Sequence, residues 1–531
     1  MKQLLQALIA AAALAVPVWG QNTDNTASNP QKNWYEEELF LRNLSFGFSN
    51  PTEIASNPYT QLQSAKASYA HEEGDFKPID GSGFSNLLDF SLYGTKKLEN
   101  ISFEGSIDYS VHDLQKSRWN GSVLQTERNP FIMADSLVYD SIPNNPNREI
   151  FNLRGGFAWQ TSEKTILALR ANYKVASKAD QSDPRIEAHG ARITLNPGAE
   201  FLLSDRFRLG VSATAEIYHE DVSSTVEDNI FPEHTIVFTF MELGHYEVKT
   251  DYDYYRRFSG HVYGGALQAM FQGETVQNLA ELSGSFNLEE AMDGGTSFMK
   301  RGGDYEEIRL SLRDRFQIKG DGILHNILLN AGLLTGSSTW YKQNSTADAL
   351  GNTIWNVISS DVTQIETDIK ADLAYRMDLL QNDVSHFTAR LSGGLDMVTL
   401  DEYPDGYYVY YTLANAGLQL TKRWYGDRFC YSVSADGSYH MPLSDLDMSL
   451  TVSGRAAERF KTNYFIPKYQ YYASEYANAG LSADAAYAIH TSGGSTYWIK
   501  LGIYGKYVKY LGDYARFDDR QCYGAKLNLI F

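Results

Sequence analysis

The chain ends in the stretch RQCYGAKLNLIF, residues 520–531, in which apolar and polar side chains alternate up to the final residue. Successive side chains of a β-strand point to opposite faces, so this segment has one apolar face and one mixed face. Strands that meet lipid on one side alternate in this way. We therefore interpret the segment as a membrane-targeting C-terminal strand, with an apolar face made by Tyr523, Leu527, Leu529 and Phe531.

The other end of the chain has the pattern of a secretory signal peptide. Lys2 is followed by an apolar run over residues 8–18, and the small Gly20 precedes Gln21. We expect residues 1–20 to be removed during export. The alternative is a buried amino-terminal helix. An exported chain with this closing strand is expected in the outer membrane of a Gram-negative bacterium, crossing it many times.

The composition excludes several classes of protein. The mean hydropathy is -0.37, and the chain lacks an apolar segment of the ~20 residues that a membrane helix needs, yet 13% of its residues are aromatic. A net charge of -19 argues against nucleic acid as a partner. Cys430 and Cys522 lie in predicted strands that are not neighbours, so we interpret both as free thiols facing the lumen.

Beyond residue 60, strand-like segments are separated alternately by short and long connections. We predict an all-β fold: a single transmembrane antiparallel up-and-down β-barrel over residues 61–531, with roughly 18 strands (range about 14–20), short periplasmic turns and long extracellular loops. The predicted strands are 62–71, 86–97, 100–111, 151–161, 165–176, 187–203, 206–219, 254–271, 277–288, 305–319, 324–338, 365–379, 387–400, 408–423, 428–439, 476–490, 495–509 and 520–531. The longest predicted loops are 112–150, 220–253, 289–304, 339–364 and 440–475.

Three features do not follow from the alternation alone. Residues 21–60 precede the first strand and form either a periplasmic tail or a plug inside the lumen. Two β-like runs, 235–243 and 447–454, are placed in hairpins within outer loops, because adding them to the wall breaks the alternation of short and long connections. Asp314 falls on the lipid face of its strand, which predicts a β-bulge or a shifted register there.

The inward positions of the predicted strands carry many charges. A basic arc opposite an acidic arc would create a transverse field across a water-filled pore. The alternative is that these charges pair with one another or with a plug. The candidate lumen-lining residues are Arg154, Arg170, Lys174, Arg192, Arg208, Arg309, Arg313, Arg390, Asp396, Asp436, Asp484, Lys500 and Lys526.

The sequence lacks the common catalytic motifs. It contains no H-E-x-x-H, no C-x-x-C, no Walker loop and no G-x-S-x-G. We therefore expect no catalytic site, no metal site and no cofactor, and we do not expect an enzyme.

Trp34, the run Leu41-Arg42-Asn43 and the closing KLNLIF resemble a family of outer-membrane barrel proteins of unknown function from Bacteroidota. The resemblance covers most of the mature chain. It implies a role beside an envelope uptake system, with a TonB-dependent transporter or a surface lipoprotein as partner, and it supplies no catalytic residue. The segment at Asn50 and Pro51 is also similar to fatty-acid transporter barrels, but Thr52 departs from their pattern, which disfavours hydrophobic substrates.

These features lead to three functional hypotheses. The first is a porin-like or accessory transport channel for small polar solutes. The second is a non-conducting surface or assembly barrel that presents its loops to a partner protein, and the third is an outer-membrane hydrolase. In each case the expected contacts are outer-membrane lipid, lipopolysaccharide and the barrel assembly machinery.

Overall fold

The structure is a computed structural model. It describes residues 33–531 except for 118, 120, 127, 135–144, 182–184, 226–236, 243–244, 250–252, 295–298, 452–457, 459–460 and 492–495. The predicted signal peptide and residues 21–32 therefore lie outside the described residues. The helices of the described part are too short and too polar to cross a bilayer.

Most of the described chain is β-strand, with two short α-helices. The strands are β1 (Gln61–Gly74), β2 (Phe84–Leu98), β3 (Ile101–Gln115), β4 (Met133–Ala134), β5 (Asn147–Ser162), β6 (Thr165–Ala179), β7 (Arg185–Ser204), β8 (Phe207–Thr225), β9 (Val237–Glu242), β10 (His245–Lys249), β11 (Asp253–Gln272), β12 (Val276–Asp293), β13 (Lys300–Gly320), β14 (Ile323–Ala347), β15 (Thr353–Gln381), β16 (Val384–Glu402), β17 (Tyr408–Tyr425), β18 (Phe429–Pro442), β19 (Asp447–Ser449), β20 (Tyr476–His490), β21 (Thr496–Tyr510) and β22 (Arg520–Ile530). The helices are α1 (Tyr35–Arg42) and α2 (Ile466–Tyr472).

Eighteen of these strands, all except β4, β9, β10 and β19, form a closed antiparallel barrel. Closure occurs between β1 and β22, where Ser64 pairs with Ile530. The backbones of Gln63 and Phe531 then exchange hydrogen bonds of 2.9 and 3.3 Å. The predicted fold class is confirmed, and each predicted strand overlaps one barrel strand.

The alternation of side chains separates an apolar outer surface from a polar lumen. On β5, Leu153, Phe157 and Trp159 are exposed on the outer surface, whereas Asn152 and Arg154 face the lumen. Asp314 stays in register on the outer surface, where its carboxylate accepts a 2.7 Å hydrogen bond from the amide of Asn278. The predicted bulge at Asp314 is wrong, because a neighbouring polar side chain satisfies the carboxylate within a regular ladder.

The two ends of the barrel differ in their connections. At the turn end, β13 and β14 are joined by residues 321–322 alone, and β15 and β16 by residues 382–383. At the loop end, β14 and β15 continue beyond their neighbours. Their outermost pairs, from Trp340 with Asp361 to Ala347 with Thr353, join only these two strands in the described ladder. The prediction of a loop over 339–364 is therefore wrong for most of its length, which is a two-stranded ribbon.

The β-like runs placed in outer loops lie outside the 18-stranded wall where they are described. Val237–Glu242 forms a small sheet with β4 and β10. Asp447–Ser449 pairs with the outermost residues of β17, beyond the point where β18 pairs with that strand. Residues 235–236, 243 and 452–454 of these runs lie outside the described residues.

Two segments fill the lumen from opposite ends. The first, which we call the inner plug, is residues 33–59 at the turn end; it contains α1 and a 3-10 helix over Pro51–Ser56. The second, the outer plug, consists of the described residues of 119–134 and 461–473 at the loop end, and it contains α2. Of the two alternatives for the segment before β1, the structure has residues 33–59 inside the barrel.

Candidate functional site

The inner plug is attached to the wall by a buried arginine. Arg315 of β13 is only 1% exposed, and its guanidinium donates to the backbone carbonyls of Phe40, Asn43 (3.1 Å) and Leu44 (3.4 Å). The guanidinium carbon also lies 3.9 Å from the ring centroid of Phe40. These carbonyls follow or end α1, so Arg315 satisfies acceptors that the helix leaves free.

Two carboxylates of the inner plug pair with arginines of the wall. Glu37 forms ion pairs with Arg376 and, at 3.2 Å, with Arg423. Glu53 accepts a 2.7 Å hydrogen bond from Arg170, which also binds Glu104 at 2.7 Å. Burial raises the pKa of Glu53, and Arg170 opposes this shift. The wall therefore offers cations where the plug offers anions.

Close packing of the inner plug against β7 requires glycine. The amide of Asn50 donates to the carbonyls of Ala199 (3.1 Å) and Val211 (3.4 Å), and its oxygen accepts from the backbone N–H of Thr52 at 3.1 Å. A Cβ atom at Gly198 would lie 2.2 Å from this oxygen. Glycine at 198 is therefore necessary for the plug to approach the wall this closely.

The outer plug is held mainly by carboxylates of the wall. Glu220 of β8 is fully buried, and it accepts the backbone N–H groups of Val123 (2.5 Å), Leu124 (2.9 Å) and Gln125 (2.9 Å). Three consecutive N–H groups that converge on one carboxylate form an anion-binding nest. The plug here supplies donors to an anionic wall.

A second set of carboxylates binds the same segment. Glu289 of β12 accepts from the hydroxyl of Thr126 and, at 2.7 Å, from the amide of Asn129. Arg128 extends from the plug to Glu366 at 2.6 Å and to Asp368 at 2.8 Å. Most polar anchors of the outer plug thus have the opposite sign arrangement to those of the inner plug.

The lumen contains several cavities. The one beside β16 to β22 measures about 480 Å³, and its walls include Arg390, Gln419, Asp436 and Lys506. Another of about 490 Å³ lies between the inner plug and β13 to β15, next to Arg313. We call the first of these two cavities the chamber.

The predicted lumen charges all face inward, but most have partners. Arg170 forms ion pairs with Glu53 and Glu104, Arg192 with Glu216, Arg208 with Glu200, and Arg309 with Glu307. Asp396 pairs with Lys370, and Asp484 pairs with Lys526. Arg313 donates to the carbonyl of Gly47 at 3.3 Å, and the ammonium of Lys500 lies 4.9 Å from the ring centroid of Trp34. Within the described part of the chain, Arg154, Lys174, Arg390 and Asp436 have no hydrogen-bond or ion-pair partner. The pairs neutralise much of the charge from which a transverse field was expected.

The family assignment comes from the sequence match over residues 51–531 to the model of a family of unknown function, DUF6850. The chain belongs to the DUF6850 family. No curated protein matches it significantly.

Solved structures similar to this DUF6850 chain are outer-membrane transporters and receptors. The RagAB peptide transporter has a TM-score of 0.42 at 8% identity, covering 89% of this chain and 86% of that one. A Pseudomonas aeruginosa FadL homologue has a TM-score of 0.32 at 10% identity, with coverages of 91% and 92%. The copper transporter OprC has a TM-score of 0.38 at 9% identity, with coverages of 89% and 83%. Likeness of this size carries no inference about what a DUF6850 protein transports.

Sequence reasoning about this DUF6850 chain missed the anchors of the outer plug. Glu220 and Glu289 are the first residues of predicted loops, whereas β8 and β12 continue beyond them. Glu220 continues the inward series that contains Glu216 and Tyr218, so the period of two was the signal that could have found it. Its partners in residues 123–125 are backbone groups, which no side-chain pattern reveals.

Proposed function

We propose that this DUF6850 protein is an outer-membrane, porin-like transport barrel for small polar solutes, whose pore opens when the plugs move. In this proposal the turn end faces the periplasm and the loop end faces outward, as in bacterial barrels generally. The observation that carries it is the chamber, in which Arg390 and Asp436 face open space without partners. If the groups inside the barrel served only to stabilise the fold, their charges would be expected to form pairs.

The apolar outer surface supports membrane insertion. Leu153, Leu267 and Ile503 are 44%, 63% and 65% exposed, which would be unfavourable over a whole barrel surface in water. The final strand, with Phe531 paired to Gln63, is the expected signal for the barrel assembly machinery. Lipid and lipopolysaccharide would then surround the wall.

The attachment of the plugs suggests an accessory role. Plugs held by several buried anchors need a source of free energy to move, and binding to a partner can supply it. We infer that the protein works within an envelope uptake system, with a TonB-dependent transporter or a surface lipoprotein as partner, in a Gram-negative bacterium of the Bacteroidota. Co-purification after mild crosslinking of native membranes tests this inference, and recovery of the barrel alone would contradict it.

Planar-bilayer conductance tests the central proposal. The wild-type protein is expected to open rarely, because both plugs are anchored. The double variant Arg315→Met with Glu220→Gln weakens one anchor at each end and is expected to open more often. Correct folding is checked by heat-modifiable gel migration. Silence of both proteins at all voltages would contradict transport.

The second candidate is a non-conducting barrel that presents its loops to a partner. The occupation of the lumen from both ends favours it, because buried anchors such as Glu220 stabilise a closed state. Silence of the double variant would select this candidate. A hydrolase is the third option. We propose that the protein is not an enzyme, and turnover of phospholipid or peptide by the purified chain would overturn that proposal.

A further inference from the structure

One wall of the chamber carries a row of side chains at a single level across five adjacent strands. Arg390 of β16 pairs with Gln419 of β17, which pairs with Asp436 of β18. The row continues through Gly480 of β20 to Lys506 of β21. All five face the lumen, and four of them border the 480 Å³ cavity. The ladder therefore fixes the spacing of these groups.

The charges along the row alternate in sign. Arg390 and Lys506 stand at the two ends, four strand spacings or about 19 Å apart at the backbone, and Asp436 lies midway. None of the three has an ion-pair or hydrogen-bond partner among the described residues. Unpaired charges that share one cavity remain available to a solute.

The row beside it is neutral and polar. Ser392, Gly417, Ser438 and Asn478 are cross-strand partners in turn, and each borders the same cavity. Gly417 and Gly480, which have no side chains, make the surface of this wall concave. A Cβ atom at Gly480 would lie 2.6 Å from a carboxylate oxygen of Asp436, so that side chain can lie flat over the glycine. Hydroxyl and amide groups thus surround a shallow, charged groove.

Aromatic rings border the cavity towards the loop end. The ring of Tyr476 stacks on His440 with centroids 4.2 Å apart. Phe76 lies 5.0 Å from both Tyr471 and Tyr476. Aromatic rings beside hydroxyl and amide groups suit a solute with both C–H faces and hydroxyl groups. The volume lies within the range of about 300–1,000 Å³ that is usual for small-molecule sites.

We propose that this wall binds an acidic sugar of one or two rings, with its carboxylate on Arg390 or Lys506. The guanidinium or ammonium forms a charge-assisted hydrogen bond with the carboxylate. Asp436, Gln419 and Asn478 bind hydroxyl groups, and the aromatic border contacts the ring. This inference rests on the proposed function, because the site lies in the chamber through which a transported solute would pass.

Isothermal titration calorimetry of the full chain in detergent tests the proposal. The probes are a glucuronic-acid-containing disaccharide, a neutral disaccharide of the same size, and glutarate, which has carboxylates without a sugar ring. The acidic disaccharide is expected to bind at least about tenfold more tightly than either of the others. Added salt is expected to weaken this binding.

The variants Arg390→Gln and Lys506→Gln are each expected to weaken binding of the acidic disaccharide. The variant that removes the cation bound to the sugar carboxylate should weaken it by about tenfold or more. Lys342→Gln, which removes an exposed charge from the outer ribbon, is the matched control and should leave binding unchanged. Arg390→Lys and Lys506→Arg keep the charge and should retain most of the affinity. A barrel that keeps its heat-modifiable migration establishes that each variant is folded.

Equal binding of the neutral and acidic sugars, or binding that neither Gln variant alters, would overturn the assignment. Absence of binding by all three probes would overturn it as well. Conductance is measured separately, so the two proposals fail in different ways. Binding by a protein that never conducts would retain the site and remove transport, whereas conductance without binding would retain transport and remove the site.

Discussion

The two plugs fill the same lumen but are held by opposite charges. Glu37 and Glu53 of the inner plug form ion pairs with arginines of the wall such as Arg376 and Arg170. In the outer plug, backbone N–H groups and Arg128 bind carboxylates of the wall such as Glu220 and Glu366. The charged side chains of the wall that bind the plugs therefore differ in sign between the two ends of the lumen.

The rule has exceptions at both ends, and they are informative. Ser49 of the inner plug donates to a wall carboxylate, Glu281, at 2.6 Å. Arg192 and Arg256 of the wall donate to carbonyls of the outer plug at Leu124 (2.6 Å) and Phe131 (3.2 Å). A carbonyl accepts from a cation at either end, so backbone acceptors do not distinguish the plugs, whereas charged side chains do.

The largest expected effect is the loss of Arg315. In Arg315→Met the carbonyls of Asn43 and Leu44 lose their charged donor, so the inner plug should be destabilised by about 3 kcal/mol. Hydrogen exchange of the plug amides should accelerate by about 100-fold while that of residues 123–125 stays unchanged. Arg313→Met is the control, because Arg313 faces the same lumen and donates a single 3.3 Å bond. Equal effects of the two variants would refute the role of Arg315.

Glu220→Gln tests the outer plug in the same way. A glutamine accepts fewer N–H bonds and carries no charge, so the amides of Val123, Leu124 and Gln125 should exchange about 30-fold faster, equivalent to about 2 kcal/mol. The amides of the inner plug should not respond. Glu200→Gln is the control, because among the described residues this carboxylate binds only Arg208 of the wall. If the inner plug responds equally, the two plugs form one unit and the comparison fails.

The two cysteines provide a smaller and more local test. Cys430 is buried in a cluster with Trp34 and Leu39 of the inner plug, whereas Cys522 is partly exposed on the lumen side of β22. Glu37→Gln removes a charge that pairs with two arginines, so maleimide labelling of Cys430 in a Cys522→Ser background should be several-fold faster. Labelling of Cys522 in a Cys430→Ser background should not change. Faster labelling of both would indicate a loosened barrel.

The smallest expected effect is that of pH on the inner plug. Burial raises the pKa of both Glu38 and Glu53, against the opposing effects of Arg42 and Arg170. The docked plug therefore binds protons more tightly than the free segment, so this contribution is complete below the ordinary glutamate pKa and is lost as pH rises through the raised value. As far as Glu38 and Glu53 determine it, exchange of the plug amides, corrected for its intrinsic pH dependence, should be slower at about pH 4 than at about pH 7. Glu53→Gln should reduce this difference, and an unchanged difference would exclude Glu53 as a source.

The sequence predicted the barrel because alternation is a local signal. Most barrel strands show the same alternation, and the regular alternation of short and long connections implies an even number of strands. The ends of the strands were less predictable. Glu220 and Glu289 are charged residues typical of loops, and only the folded chain shows that their carboxylates accept hydrogen bonds from the outer plug. The bulge at Asp314 was wrongly predicted because the residue that satisfies its carboxylate, Asn278, is 36 positions away in the sequence.

The chamber was only partly predictable. Alternation assigned Arg390 and Asp436 to the lumen, but it could not reveal that Arg170 and Arg208 are paired while Arg390 is not. Arg208 is paired by Glu200 on the neighbouring strand, and Arg170 is paired both by Glu104 of the wall and by Glu53 of the inner plug. Both plugs lack a regular period over most of their length, so their contacts required the folded chain.

The ribbon formed by β14 and β15 beyond the wall offers an insertion point for a peptide tag. At its tip, Leu350 is 86% exposed, and Gly351 has a positive φ of 84° with no atom within 4 Å of where a Cβ would lie. Exposed tips of this kind tolerate added residues well, and the hydrogen-bonded wall below does not depend on them. An epitope placed after Gly351 should therefore be displayed about 30 Å above the rim, where antibody staining of intact cells would reveal which end of the barrel faces the medium.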